Sequence, residues 1–512
     1  MGLQRTVILN SLALFVATIG MKLMMLALAL LVINHLDDGD VARFGTAFAL
    51  AMLLSGSADF GGRLLLLREL GGWRDSPHVV SLARRLLWLT RAVTLRVSAA
   101  GALIILAWFA LTGASWGFLG EAALFALFGY ADALTIQGRY ALRGLHRAHH
   151  EIALTLTGRG LTLGAGTALV ATGQVSVAAV GGCFLLGSVM EVMLTRRALE
   201  KELRAIRPPA EAPAEAHPPQ QAQRHPMLAH LMASAPFGIA LTFSGLMQRL
   251  PFLVMPGMSG LGRSLDALTA AVKLPEAAAF LPSNLMTPLI PALRALKTGG
   301  RDGRRTLWAA HIIEFMATVG AVVACLMALE ATTIVSCLFR PGLEQAAPPL
   351  ALLSAWLGLL FLERAVGSCL IASGGERANL AGTCVGLAGA VVAAVFFLPG
   401  LGATGGAMVM IAGQALHVAT MMLLLPGCGI RLRREILWRP LVVGLATFTA
   451  WVWIAGLFPA VDSIPHMVIR CLVVGNVAIA VYVMMGWPNR HEDPLMQMIS
   501  RKLTKKRPGG AV

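Results

Sequence analysis

The sequence predicts an all-α polytopic membrane protein of about fourteen transmembrane helices, in two pseudo-symmetric lobes around a central cavity. Three observations predict it. Of the 512 residues, 57% are hydrophobic and only 13% are charged, with a mean hydropathy of +0.72. The apolar residues come in runs of roughly 20 or more, the length of a bilayer-spanning helix. The loops between runs alternate between Arg-rich and Arg-poor. A soluble fold of this size cannot bury so much apolar surface. A soluble enzyme, a disordered chain and a disulfide scaffold are therefore excluded.

The predicted spans, in order, are 8–34, 41–66, 92–113, 117–138, 150–171, 174–195, 228–254, 265–291, 307–329, 346–368, 379–398, 402–426, 438–458 and 465–486. The first is too long for a secretory signal, contains Lys22 and lacks a small-residue cleavage site, so it reads as a retained helix. The breaks carry turn residues: His35 to Asp40, then Pro256-Gly257, Gly299-Gly300, Pro341-Gly342, Pro399-Gly400 and Pro426-Gly427.

Net charge is +16, and its placement orients the chain. One set of alternate loops holds Arg68, Arg74, Arg84, Arg85 and Arg91, then Arg139, Arg143 and Arg147, then Arg196 to Arg207. The same set continues through Arg294 to Arg305, Arg364 and Arg377, Arg431 to Arg439 and the tail Arg501 to Arg507. The other set has Arg43, Arg263 and Arg340 beside Asp37, Asp38, Asp40, Glu330 and Asp462. The positive-inside rule puts both termini in the cytoplasm, and an even number of spans satisfies it. The basic balance thus reads as membrane topology, with no nucleic-acid partner. Val79 to Arg96 interleaves apolar residues with arginines, as an interfacial helix leading into the third span or as a plain basic loop helix.

Residues 208–227 are a Pro/Ala-rich cytoplasmic linker. They divide an N-terminal lobe, 1–207, from a C-terminal lobe, 228–426, each of about six spans; 427–512 adds two spans and a basic tail. The lobes are weakly alike. Met21-Lys22-Leu23 and Gln248-Arg249-Leu250 both place a cation deep in a first span, at an offset of 227 residues. First spans starting on the same side imply parallel repeats about an axis along the membrane normal.

Ionisable residues inside spans cost roughly 2.5–3.5 kcal/mol on insertion, so each is a functional candidate. The deepest cations are Lys22, Arg159, Arg249 and Lys273, with Arg63 nearer a span end. Lys22 lies roughly 21 Å along its helix, which makes snorkelling the minor explanation. Lys273 and Glu276 are three apart, and Asp59 and Arg63 four apart, spacings that also suit structural ion pairs. Glu314 has a helix-dipole alternative and Glu191 reads as an interfacial acid. Cations outnumber acids, so a cavity they share would attract an anion. Asp59, Glu276 and Glu314 are the candidates for proton or sodium coupling. Seven scattered cysteines, a lone His149-His150 pair and the absence of GxxxxGK[ST] leave no metal site, disulfide framework, cofactor site or ATPase.

Short motifs then bring in a family. Val41-Ala-Arg-Phe-Gly45, Ser57-Ala-Asp-Phe-Gly61 and Leu67-Arg-Glu-Leu70 resemble the polysaccharide flippase pattern. So do Arg249, Asp266-Ala-Leu-Thr-Ala-Ala-Val-Lys273 and Phe280-Leu-Pro-Ser-Asn-Leu285 running to Pro288 and Pro291. The chain resembles the polysaccharide/oligosaccharide (Wzx-type) branch of the multidrug/oligosaccharidyl-lipid/polysaccharide (MOP) exporter superfamily. An aromatic usual at the start of the eighth span is replaced around Leu268, and only three tyrosines are available to stack on sugars.

The resemblance implies a non-enzymatic flippase of the bacterial inner membrane. It would move an undecaprenyl-diphosphate-linked oligosaccharide to the periplasmic leaflet for surface polysaccharide synthesis, by alternating access. Its cavity cations map onto Lys22, Arg249 and Lys273, with Arg63 and Arg159 as further positions. Membrane lipids, a polysaccharide polymerase and other assembly proteins are the implied partners. Rival readings are a multidrug antiporter of the same superfamily, which needs acids rather than cations, and a peptidoglycan lipid-precursor flippase. A membrane glycan polymerase or ligase would want a large external loop, which is lacking here.

Overall fold

The computed structural model describes residues 2–72, 79–145, 147, 150–205, 226–258, 260, 262–286, 289, 293, 302–430, 435–457 and 464–486. The 208–225 part of the linker, the tail beyond 486, His149, Pro288 and Pro291 lie outside them, as do Arg74, Arg294, Arg431 and Asp462. Helices α1 to α7 run Gly2–His35, Asp40–Ser57, Gly62–Gly72, Val79–Leu111, Trp116–Gly144, His150–Ala171 and Val177–Ala205. Helices α8 to α12 run Pro226–Val254, Gly262–Ala278, Phe280–Met286, Asp302–Leu329 and Ala331–Leu338. Helices α13 to α16 run Ala347–Ala372, Glu376–Leu424, Glu435–Leu457 and Ile464–Gly486. No strand occurs among the described residues.

Among the described residues, eleven segments are long and apolar enough to cross a membrane. Three more crossings complete the set of fourteen. Helix α6 and the pair α9–α10 carry charge that lowers their hydropathy, and α14, at 49 residues, is two crossings joined at Gly402 (φ 52°). The break at Gly402 corrects the expected turn at Pro399-Gly400, through which the helix continues. The short α12 follows α11 directly and was not expected. The segment from Val79 is the start of the third crossing itself, one helix of 33 residues.

Contacts group the chain into two compact units: 1–280 with 383–413, and 281–382 with 414–512. In the first unit α5 packs on α2, α3, α4 and α7, and α2 packs on α8 and α9. Phe44, Phe48, Phe125, Phe128 and Phe184 form one aromatic cluster at its centre, with ring centroids 5.0–6.5 Å apart. Ser115 caps α5 by accepting from the Phe118 amide at 3.3 Å.

The second crossing is broken between α2 and α3, and the motif residues make the break. Asp59 accepts from the amides of Gly61 (3.3 Å) and Arg63 (2.9 Å), capping α3. Gly61 sits at φ 79°, and a Cβ there would fall 2.9 Å from backbone and side-chain atoms of α8. Only glycine meets both demands.

In the second unit α11 packs on α13 and α15, and α15 on α16. Arg439 donates to Glu314 at 2.7 Å, with both side chains buried. Glu330, 1% exposed, accepts from Trp451 at 2.8 Å and Arg470 at 2.9 Å.

Candidate functional site

The charges inside the first unit fall into two groups. The first is built by α1, α8 and α9. Arg249 on α8 pairs with Glu276 on α9. Lys273, one turn before Glu276, holds its Nζ 3.9 Å from that same carboxylate. Lys273 also lies over the rings of Phe48 (4.1 Å to the centroid) and Phe44 (5.3 Å). A cation over an aromatic face is stabilised by the ring quadrupole, most strongly when desolvated. Lys22 on α1 is half-buried, has no ion-pair partner among the described residues, and feels the charges of Glu276, Arg159, Arg249 and Asp132. Three cations therefore act around one carboxylate.

The second group is deeper and balanced. Arg159 on α6 pairs with Asp132 on α5, and its Nε lies 3.7 Å from Glu191 on α7. Arg139, one helical face along α5 from Asp132, pairs with Glu191. Ser55 on α2 donates to Asp132 at 2.5 Å. All four charged side chains are under 10% exposed. Two cations and two acids cancel, but among the described residues Nη1 of Arg159 is buried without an acceptor. Such an orphan donor is unusual in a native interior and is free to bind an added oxygen.

The position of α9 is fixed by Asp266. Its carboxylate crosses to α2 and accepts from the amides of Gly39 (3.0 Å) and Ala42 (2.6 Å), open donors at that helix start. This clamp and the close α2–α9 approach bring Lys273 onto Phe48.

The structure thus brings together Lys22, Arg249, Lys273 and Glu276, with Arg159 next to them in the charge network. Arg63 and Asp59 stand apart: Arg63 donates to the Gly56 carbonyl at 2.6 Å and lies 3.7 Å from Asp59, where the two close the α2–α3 break. Glu314 belongs to the second unit and is held by Arg439. Glu191, expected as an interfacial acid, is instead fully buried between two arginines, because α7 turns that face onto α5 and α6. Asp132 and Arg139 escaped sequence reasoning as site residues. Asp132 carried a usable signal, an acid near the middle of an apolar span. Among the described residues no cluster of three His, Cys, Asp or Glu side chains could hold a metal.

No protein-family model and no curated protein sequence matches the chain. Solved structures do match. The lipid II flippase MurJ in an inward closed conformation aligns over 94% of this chain and 99% of its own, with a TM-score of 0.67 at 12% identity. An inward-facing multidrug resistance MATE transporter aligns over 80% of this chain and 94% of its own, with a TM-score of 0.59 at 14% identity. A Pyrococcus furiosus MOP-superfamily transporter, described as having a binding pocket of reversed polarity that suggests a different function, aligns over 83% and 95%, with a TM-score of 0.57 at 15% identity. The chain has the fold of MOP-superfamily transporters.

Proposed function

We propose that this protein is a flippase for an undecaprenyl-diphosphate-linked oligosaccharide, moving it from the cytoplasmic to the periplasmic leaflet for surface polysaccharide synthesis. One observation carries the reading: Lys22, Arg249 and Lys273 act around the single acid Glu276, inside a fold shared with transporters. A surplus of positive charge at membrane depth suits an anion. A diphosphate offers several acceptor oxygens, which Arg binds bidentately and Lys as a point charge. The orphan Nη1 of Arg159 is a further donor beside the group. A cationic drug would be repelled by the same surplus, which counts against the antiporter reading. Glu276 shares its carboxylate between two cations, so phosphate arrival would compete with it for Arg249. That makes Glu276 the coupling candidate, since Asp59 and Glu314 are engaged in capping and in the Arg439 pair. Both termini are assigned to the cytoplasm by the arginine asymmetry of the loops.

The extent of the MurJ alignment favours a second reading, in which the cargo is the peptidoglycan lipid precursor. Deleting the gene in its host separates them. Flipping of a surface glycan predicts accumulation of the lipid-linked repeat and loss of surface polymer, restored by wild type but not by a stably expressed Arg249→Ala protein. Accumulated peptidoglycan precursor with lysis would select the second cargo. Unchanged levels of both lipid-linked species, with no redundant flippase, would refute flipping.

A further inference from the structure

Helices α4 and α7 enclose a cleft of about 360 Å³ remote from the Glu276 group in sequence and built from different helices. Arg84, Trp88 and Arg91 line it from α4, and Arg196, Glu200 and Arg204 from α7. The spacings of three, four and eight put each set on one helix face. The lined stretch runs roughly 10–12 Å along each helix, longer than the roughly 5–8 Å interfacial layer of one leaflet, so it spans the head-group level and the edge of the hydrocarbon. Its floor is apolar, because Leu87, Leu199 and Leu203 belong to a buried core.

The charge is unbalanced. Arg196 pairs with Glu200 at 2.9 Å, while Arg84, Arg91 and Arg204 have no ion-pair partner among the described residues. Four guanidinium groups converge on a space with one carboxylate, so the cleft attracts an anion. Its surroundings say which kind. Past Trp88 (67% exposed), α4 continues the same face with exposed Leu95 and Leu103. Before Arg196, α7 does so with exposed Met193 and Leu186. A basic pocket that opens onto two exposed apolar tracks, with a tryptophan at the junction, matches a charged head group carrying acyl chains.

We infer that this cleft binds the head group of an anionic phospholipid in the leaflet beside the Arg-rich loops, with its acyl chains along Leu95, Leu103 and Met193. The inference does not depend on the cargo. The resident lipid fastens α4 to α7 at the membrane surface, where the sequence supplies repelling arginines instead of a direct pair.

Native mass spectrometry of the purified full chain, titrated with phosphatidylglycerol or phosphatidylcholine, tests it. Wild type is expected to retain phosphatidylglycerol preferentially. Each arginine at a membrane surface is worth about fivefold in affinity. An R84Q/R91Q/R204Q protein should therefore bind phosphatidylglycerol roughly a hundredfold more weakly, with phosphatidylcholine binding unchanged. Glu200→Gln removes the one negative charge and should tighten binding, whereas a purely structural Arg196–Glu200 pair would give no gain. The second variant decides the matter if the triple variant fails to fold. Equal retention of both lipids, an unaffected triple variant or no tightening in Glu200→Gln would overturn the proposal. Displacement of phosphatidylglycerol by equimolar inorganic phosphate would reassign the cleft to a free anion.

Discussion

Replacing Gly45 with alanine should destabilise the protein, although in an ordinary helix it would stabilise by about 1 kcal/mol. Gly45 lies in α2 where that helix meets α9. A Cβ at this position would fall 2.1 Å from Oγ1, 2.7 Å from Cγ2 and 2.9 Å from Cβ of Thr269. Carbon contacts are comfortable at about 3.5–4.0 Å, so one backbone must retreat by more than an ångström or Thr269 must be displaced. Thr269 is fully buried and β-branched, so rotation alone does not clear the overlap. Overpacking of this kind costs typically 1–3 kcal/mol. An approach as close as 2.1 Å belongs to the upper part of that range, about 2–3 kcal/mol, which leaves a net loss of about 1–2 kcal/mol after the helix-propensity gain. Thr269→Ala removes the two nearest atoms, so the double variant should recover much of the loss. A double-mutant cycle by thermal unfolding in detergent should give a coupling of about 1 kcal/mol or more. A Gly45→Ala protein as stable as wild type, or strictly additive effects, would refute the close-approach argument. The phenylalanine and glycine at 44 and 45 would then need another explanation.

Asp266→Ala should cost about 2–4 kcal/mol, because two amides at the start of α2 lose a charged acceptor in a buried place; Asp266→Asn should recover part, and thermal melting reports both. Glu314→Gln removes the buried carboxylate to which Arg439 is bonded and should cost about 3–5 kcal/mol, while the Glu314→Leu/Arg439→Met protein should melt nearer to wild type. Asp59→Ala uncaps α3 and should lower stability by about 1 kcal/mol, seen as faster hydrogen exchange over residues 62–67 than over α5.

Most of the architecture was legible because a bilayer leaves few choices: every backbone polar group must be satisfied within a helix, so apolar run length gives the span. The arginine alternation agreed with an even count. What escaped was tertiary. The second span reads as one run from 41 to 66, yet Asp59 and Gly61 break it, because an internal cap needs only one carboxylate and one permissive backbone. Pro399-Gly400 has turn composition, but proline is tolerated inside membrane helices and the true break falls two residues later. At the site, Lys22, Arg249 and Lys273 were visible as deep cations. The partners were not, since periodicity does not say that Arg139 and Arg159 flank Glu191, or that Asp266 reaches across 227 residues to the start of α2.

The central claim is that the surplus of cations around Glu276 carries a phosphate-bearing lipid across the membrane. The most direct measurement places purified protein in vesicles holding a lipid-linked glycan diphosphate, then follows the glycan's exposure to an impermeant glycosidase. The account predicts protein-dependent depletion of the whole lipid pool, against half in protein-free vesicles. A Lys22→Ala/Arg249→Ala/Lys273→Ala protein, checked for folding by its melting curve, should fall to the protein-free level. Full depletion by that triple variant, or none by wild type, would contradict the account.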